Sequence, residues 1–336
     1  MSLMKFLRKI LVVFAVLLLC TSCKYLPALS YNPWEVVPTA TDANLYDIAF
    51  SEDNPEHGWA VGSSATLLET TDNGKSWETK ALDLDEGRIR LASVSFSGSE
   101  GWIVGEPSVL LHTTDEGQTW TRIQLSAKLP GAPYNIVALG PQSAEMATDI
   151  GAIYVTKDGG QNWKALVGDA VGVVRNISRS SDGRYISVSA KGNFYSTWTP
   201  GLPSWEPHNR YSSKRLENMG FGTDGRLWMI ARGGELRFAD SSDQEEWSDA
   251  IQPEYATSWG FLDLAYRTPE EIWVSGGSGN LVCSLDGGET WLKDTEVEDI
   301  PANFNRIKFI SPEKGFILGQ RGTLLRYTSQ VSQTPA

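Results

Sequence analysis

The chain has 336 residues, 41% of them hydrophobic and 10% aromatic, enough apolar material for a large core without crosslinks. A formal net charge of −12 excludes general nucleic-acid binding, which needs a clustered positive surface. The three cysteines, Cys20, Cys23 and Cys283, exclude a disulfide framework and a cysteine-based metal site.

In chain order, Lys5, Arg8 and Lys9 come first, followed by an unbroken apolar run over residues 10–19. That run is too short to span a bilayer, so residues 1–22 read as a signal peptide. Thr21-Ser22-Cys23 resembles the lipobox of bacterial lipoproteins, in which small residues precede an acylated cysteine. Cys20 stands where those sequences carry Leu, and a leader that is simply cleaved is the competing reading. On the lipobox reading Cys23 is the lipid attachment and residues 23–32 form a tether. Loss of Lys5, Arg8 and Lys9 takes the net charge from −12 to −15.

A repeat then begins. TTDNGKSW at 70–77, TTDEGQTW at 113–120, TKDGGQNW at 156–163 and SLDGGETW at 284–291 all fit Ser/Thr-x-Asp-x-Gly-x-x-Trp. This resembles the Asp-box, or BNR repeat, of sialidases and other propellers. Its chemistry is that of a turn: Asp satisfies backbone N–H groups, Gly takes a positive φ, and Trp opens the next strand. Asp72, Asp115, Asp158 and Asp286 are therefore fold-forming residues, not paired acid catalysts. Trp205 and Trp247 keep the phase where the box has decayed, and Trp34 extends it to the N-terminus, with every step 42 to 44 residues. A second strand recurs seven times, from GWAVG at 58–62 to GFILG at 315–319. The strands are short and alternating, which sets an all-β class. The expectation is one seven-bladed β-propeller over 33–329 with four-stranded blades, and a C-terminal tail over 330–336. The N-terminal strand near Trp34 pairs into the last blade and closes the ring.

In such blades the loops into the inner strands and the turns between second and third strands open on one face. Arg88 and Arg90 enter blade two; Arg175 starts the inner strand of blade four, with Arg179 four residues on. Arg210, Lys214 and Arg215 enter blade five, Arg306 lies in the inner strand of blade seven, and Arg232 and Arg321 sit in second-to-third-strand turns. These ten positions are expected to converge on one rim and the channel mouth, where guanidinium groups capture carboxylates or an acidic segment. Solvated rim residues paired with acidic neighbours are the plainer reading.

An active site is not expected. Sialidase chemistry needs an arginine triad, a Tyr nucleophile with its Glu, and an acid/base Asp. The Arg-Ile-Pro motif of those enzymes is missing, Arg88-Ile89-Arg90 being the nearest stretch. His57, His112 and His208 are scattered, His112 reading as a surface residue, and no metal-ligand spacing appears. Cys283 reads as a small buried side chain. No cofactor or metal is expected.

The combined pattern resembles the photosystem II stability and assembly factor family. The match is carried by RLASVSF at 90–96, GEPSVLLHTT at 105–114, KGNFYSTW at 191–198, WEPHNR at 205–210, KRLENMGF at 214–221 and ARGG at 231–234. The resemblance implies a non-catalytic assembly factor that binds newly made D1 and its precursor, together with reaction-centre assembly intermediates. It places the chain on the thylakoid lumen side, membrane-bound through its lipid, with no nucleic acid, as a monomer. An arginine patch is a family feature, and Arg175, Arg179, Arg210, Arg215 and Arg232 fall in matching motifs. Arg88, Arg306 and Arg321 rest on geometry alone. A generic extracytoplasmic interaction propeller and a glycan hydrolase are the rival readings.

Overall fold

The computed structural model describes residues 27–84, 88–240, 246–253 and 260–328. The signal peptide, Cys23 and the C-terminal tail lie outside the described residues.

Strand β1 (Trp34–Val36) comes first, and seven blades follow. Blade one is β2 (Leu45–Phe50), β3 (Gly58–Gly62), β4 (Leu67–Thr70) and β5 (Glu78–Thr79); blade two is β6 (Arg90–Ser97), β7 (Glu100–Glu106), β8 (Val109–Thr113) and β9 (Thr121–Arg122). Blade three holds β10 (Pro133–Gly140), β11 (Ser143–Thr148), β12 (Ile153–Thr156) and β13 (Lys164–Ala165). Blade four holds β14 (Val174–Arg179), β15 (Tyr185–Ser189), β16 (Phe194–Trp198) and β17 (Glu206–Asn209). Blade five has β18 (Leu216–Phe221), β19 (Leu227–Ala231) and β20 (Glu235–Phe238), and blade six β21 (Phe261–Tyr266), β22 (Ile272–Gly276), β23 (Leu281–Ser284) and β24 (Leu292–Lys293). Blade seven is β25 (Phe304–Ser311), β26 (Lys314–Gly319) and β27 (Leu324–Tyr327), completed by β1.

The ring closes as the sequence predicts, with Trp34 paired to Tyr327 and Val36 to Leu325. Blade five departs from the pattern. Its fourth position is filled by two single bridges, Ala239 to Trp247 and Leu236 to Ile251, at the place where the Asp-box has decayed. Among the described residues no helix is long and apolar enough to cross a membrane.

The core is divided among the seams. Each of seven hydrophobic clusters lies between two neighbouring blades, such as Phe50, Trp77 and Phe316 between blades one and seven. Full burial of an aromatic or branched side chain contributes about 1.5–3 kcal/mol, so adhesion between blades holds the ring. The Asp-box serves the same seams. In blade one, Asp72 Oδ1 accepts from the N–H groups of Lys75 (3.0 Å) and Ser76 (2.9 Å), and Thr70 Oγ1 accepts from Gly74 N (2.9 Å). Burial raises the Asp72 pKa, but hydrogen bonds from Ser76, Thr70 and Lys75 outweigh it and hold the carboxyl at about 2. The turn thereby leans on the preceding blade. A Cβ on Gly74, whose φ is +79°, would lie 2.6 Å from Phe316, and one on Gly117 would lie 2.5 Å from Trp59.

Every inner strand carries a register shift near its start. The residue after each shift is polar, and together they ring the waist of the channel: Asp47, Ser93, Asn135, Asn176, Asn218, Asp263 and Arg306. Asp47 Oδ2 accepts from Val94 N (3.1 Å) in blade two, and Asp263 Oδ2 from Ile307 N (3.0 Å) in blade seven. Lys308 Nζ donates to Asp47 Oδ1 at 2.9 Å, joining the last blade to the first.

Candidate functional site

The face on which the inner strands begin carries most of the predicted cations. Arg90 pairs with Glu106 at 2.8 Å, and its guanidinium lies 4.3 Å from the centre of the Tyr46 ring and 5.9 Å from that of Tyr134. These groups frame the mouth of a channel cavity of about 270 Å³.

The densest group lies on blades four and five. Arg175 Nη1 donates to Glu217 Oε2 at 2.7 Å, and Arg215 holds the other oxygen through Nε (3.0 Å) and Nη2 (2.7 Å). One carboxylate thus serves two guanidinium groups. Lys214 and Arg237 share Glu235 in the same manner, at 3.5 and 3.1 Å. Arg232 is exposed, in a turn whose backbone N–H donates to Arg215 O at 2.8 Å. Arg88, Arg210, Arg232 and Arg321 form no ion pair with a described residue. Arg321 has φ +56° in a turn of blade seven, away from this group.

Two predicted positions land elsewhere. Arg179 is not on the rim. Its Nε pairs with Glu145 at 2.7 Å, its Nη1 donates to Ser180 O at 3.1 Å, and it lies at the Asp-box end of the channel. The two-residue period gives the side of a strand but not the height, and four residues of strand span about 13 Å. The register shift between Val174 and Asn176 also breaks the alternation. Arg306 sits deep in the channel, with Nε 3.8 Å from Asp263 Oδ2. Burial raises the Asp263 pKa despite that neighbour.

Sequence reasoning missed Lys191. It is exposed in the turn between β15 and β16, the class of position that singled out Arg232 and Arg321. The turn is clamped between Val173 and Leu216, through Ala190 N to Val173 O (3.0 Å) and Leu216 N to Gly192 O (2.8 Å). Val173, 63% exposed, adds an apolar spot beside Arg175. Glu217 was missed too, because nothing in its local sequence shows that it bridges two blades.

The histidines are structural. His112 is not a surface residue: its ring stacks on Trp102 with centroids 3.9 Å apart, and Nε2 lies 2.6 Å from Glu100 Oε1. His57 is buried beside Glu69, and His208 stacks on Tyr195 at 4.9 Å. Cys283 is fully buried, and burial pushes its thiol pKa up.

The family model described as photosynthesis system II assembly factor YCF48 matches residues 26–328. A photosystem II assembly lipoprotein Ycf48 of Trichormus variabilis is 60% identical over 334 residues, covering 99% of this chain and 98% of the relative. Among solved structures, YCF48 bound to D1 peptide is 55% identical with a TM-score of 0.87, over 90% of this chain and 99% of that one. YCF48 from Cyanidioschyzon merolae is 38% identical with a TM-score of 0.84, over 90% of this chain and 100% of that one.

Proposed function

This chain belongs to the YCF48 family of photosystem II assembly factors, and we propose that it assists assembly by holding the D1 subunit and its precursor on the arginine face. The observation that carries this reading is charge. Among the described residues Arg175 and Arg215 share Glu217, Lys214 and Arg237 share Glu235, and Lys191 and Arg232 are exposed in turns of the same two blades, on a chain whose net charge is −12. Such a local excess steers an acidic segment and pairs with its carboxylates. Arg90, Arg210 and Arg88 extend the surface along the rim, Arg321 lies at its margin, and Arg306 lies below it in the channel.

The propeller acts as a scaffold, without a catalytic step, and as a monomer. Acylation at Cys23 holds it on the lumenal side of the thylakoid membrane, where it meets reaction-centre assembly intermediates. The naming of relatives as lipoproteins supports the anchor, and the relative solved with a D1 peptide supports the partner.

The test uses the processed protein as bait on detergent-solubilised thylakoids, with mass spectrometry as the readout. Wild type is expected to recover D1 and its precursor. Arg175→Glu with Arg215→Glu is expected to lose both while its thermal unfolding stays within about 5 °C of wild type. Undiminished recovery by the folded double variant would remove the arginine face from the mechanism.

A further inference from the structure

We propose that the outer corner of blades six and seven, on the Asp-box side, rests on the membrane interface and turns the arginine face away from the lipid. This rests on acylation at Cys23.

The described part of the tether is held on blade six. Lys293 N donates to Pro27 O at 3.1 Å and Leu29 N to Lys293 O at 2.9 Å, so residues 27–29 add a short parallel rung to the outer edge of blade six. Leu29 packs on the cluster that contains Trp34, Trp273 and Phe304. Strand β24 runs from its Asp-box turn toward the arginine face, and a parallel partner runs the same way. Pro27 therefore lies at the Asp-box end of that rung. Only Lys24, Tyr25 and Leu26 separate Pro27 from Cys23. Four residue steps reach at most about 14 Å, so an acyl chain on Cys23 holds this edge close to the headgroups.

Two exposed apolar side chains lie at that edge. Leu285 is 47% exposed, in the box position that Thr71, Thr114 and Lys157 occupy in the other boxes. Tyr31 is 45% exposed in the tether. A tyrosine with an apolar body and a polar tip suits the interface between lipid and water. Glu270 and Glu289 are exposed nearby, so the contact is apolar and acyl-driven, and added salt should leave it unchanged.

The arginine face then lies across the thickness of the blade, a strand of six residues or about 20 Å from the lipid-facing corner. The segment it captures must rise off the bilayer as a tail or a long loop.

The test places a fluorophore on single cysteines of the acylated full chain in phosphatidylcholine vesicles that carry a headgroup quencher. Glu289→Cys marks the proposed contact, Ser278→Cys the arginine side of the same blade, and Lys164→Cys the outer edge of blade three. Quenching at 289 is expected to exceed that at 164 by roughly twofold or more, with 278 below 289. Mass spectrometry of the same samples reads the acyl group on Cys23. Equal quenching at the three positions in an acylated chain overturns the orientation and leaves the lipoprotein reading standing. Absence of the acyl group overturns both.

Discussion

Glu100 and His112 meet at 2.6 Å across β7 and β8, and the pair reverses the one a blade earlier, where His57, just before β3, meets Glu69 of β4 at 2.8 Å. Glu100 and His57 occupy equivalent positions, as do His112 and Glu69. The two blades keep one hydrogen bond and exchange its partners.

Glu100 has a second task. Both its oxygens accept from Gln142 N, at 2.8 and 2.9 Å, which ties blade two to blade three. Glu100→His alone is expected to destabilise by about 2–3 kcal/mol, since it strands that N–H and faces His112 with a second imidazole. Adding His112→Glu should recover part of the loss. Urea denaturation of the two single variants and the double gives the coupling, and a strictly additive double would show that the exchange carries no energy.

Lys308 and Asp47 close the ring at the channel. Burial pushes the Asp47 pKa up, but Lys308, Arg306 and the hydrogen bonds bring it below the ordinary value. A depressed carboxylate stabilises above its unfolded pKa and loses that stabilisation as pH falls through the folded value. Lys308→Met leaves a buried charge and is expected to cost about 3 kcal/mol at pH 7. The gap to wild type should shrink below pH 4, and Asp47→Asn in the same chain should restore part of the loss. Thermal melts across that range check both signs.

Asp294 behaves in the opposite sense. It is 1% exposed, Oδ1 accepts from Glu296 N at 3.1 Å, and burial lifts its pKa to about 6. The folded chain therefore keeps a proton that the unfolded chain releases near pH 4, and stability falls as pH rises from 4 to 6. A shift of this size corresponds to roughly 3 kcal/mol at full ionisation. Asp294→Asn should match wild type at pH 4 and exceed it at pH 7, read from the two melting temperatures.

Glu217 occupies both Arg175 and Arg215 on the face proposed to bind D1. Glu217→Gln frees one positive charge where an acidic segment would dock. Affinity for an acidic D1 peptide is expected to rise about threefold at low salt, with a steeper salt dependence. Isothermal titration at two ionic strengths measures it, and a fall in affinity would mean that Glu217 orients the arginines more than it masks them.

What the sequence revealed follows from how locally each feature is encoded. The Asp-box spells out its own hydrogen bonds within eight residues, so blade number, phase and the role of Asp72 were all legible. Among the described residues the fourth position of blade five is held by two single bridges where the box around Trp247 decayed, and only the tryptophan remained to mark it. The arginine face was legible blade by blade, because a turn position fixes which end of a blade a residue occupies. Arg179 was misplaced since periodicity reports side and not height, and the shift after Val174 leaves no local mark. Glu217 and the polar ring depend on contacts between blades more than 40 residues apart, which no local pattern contains.

The pairing of β1 with β27 makes completeness a condition of folding. A chain ending four residues before Tyr327 would not be a slightly smaller propeller; it would be an open arc with an unpaired strand edge at each end. During synthesis the first strand emerges early and has no partner until the last is made. The two ends of the chain thus complete one blade between them, and the seventh blade exists only when both are present.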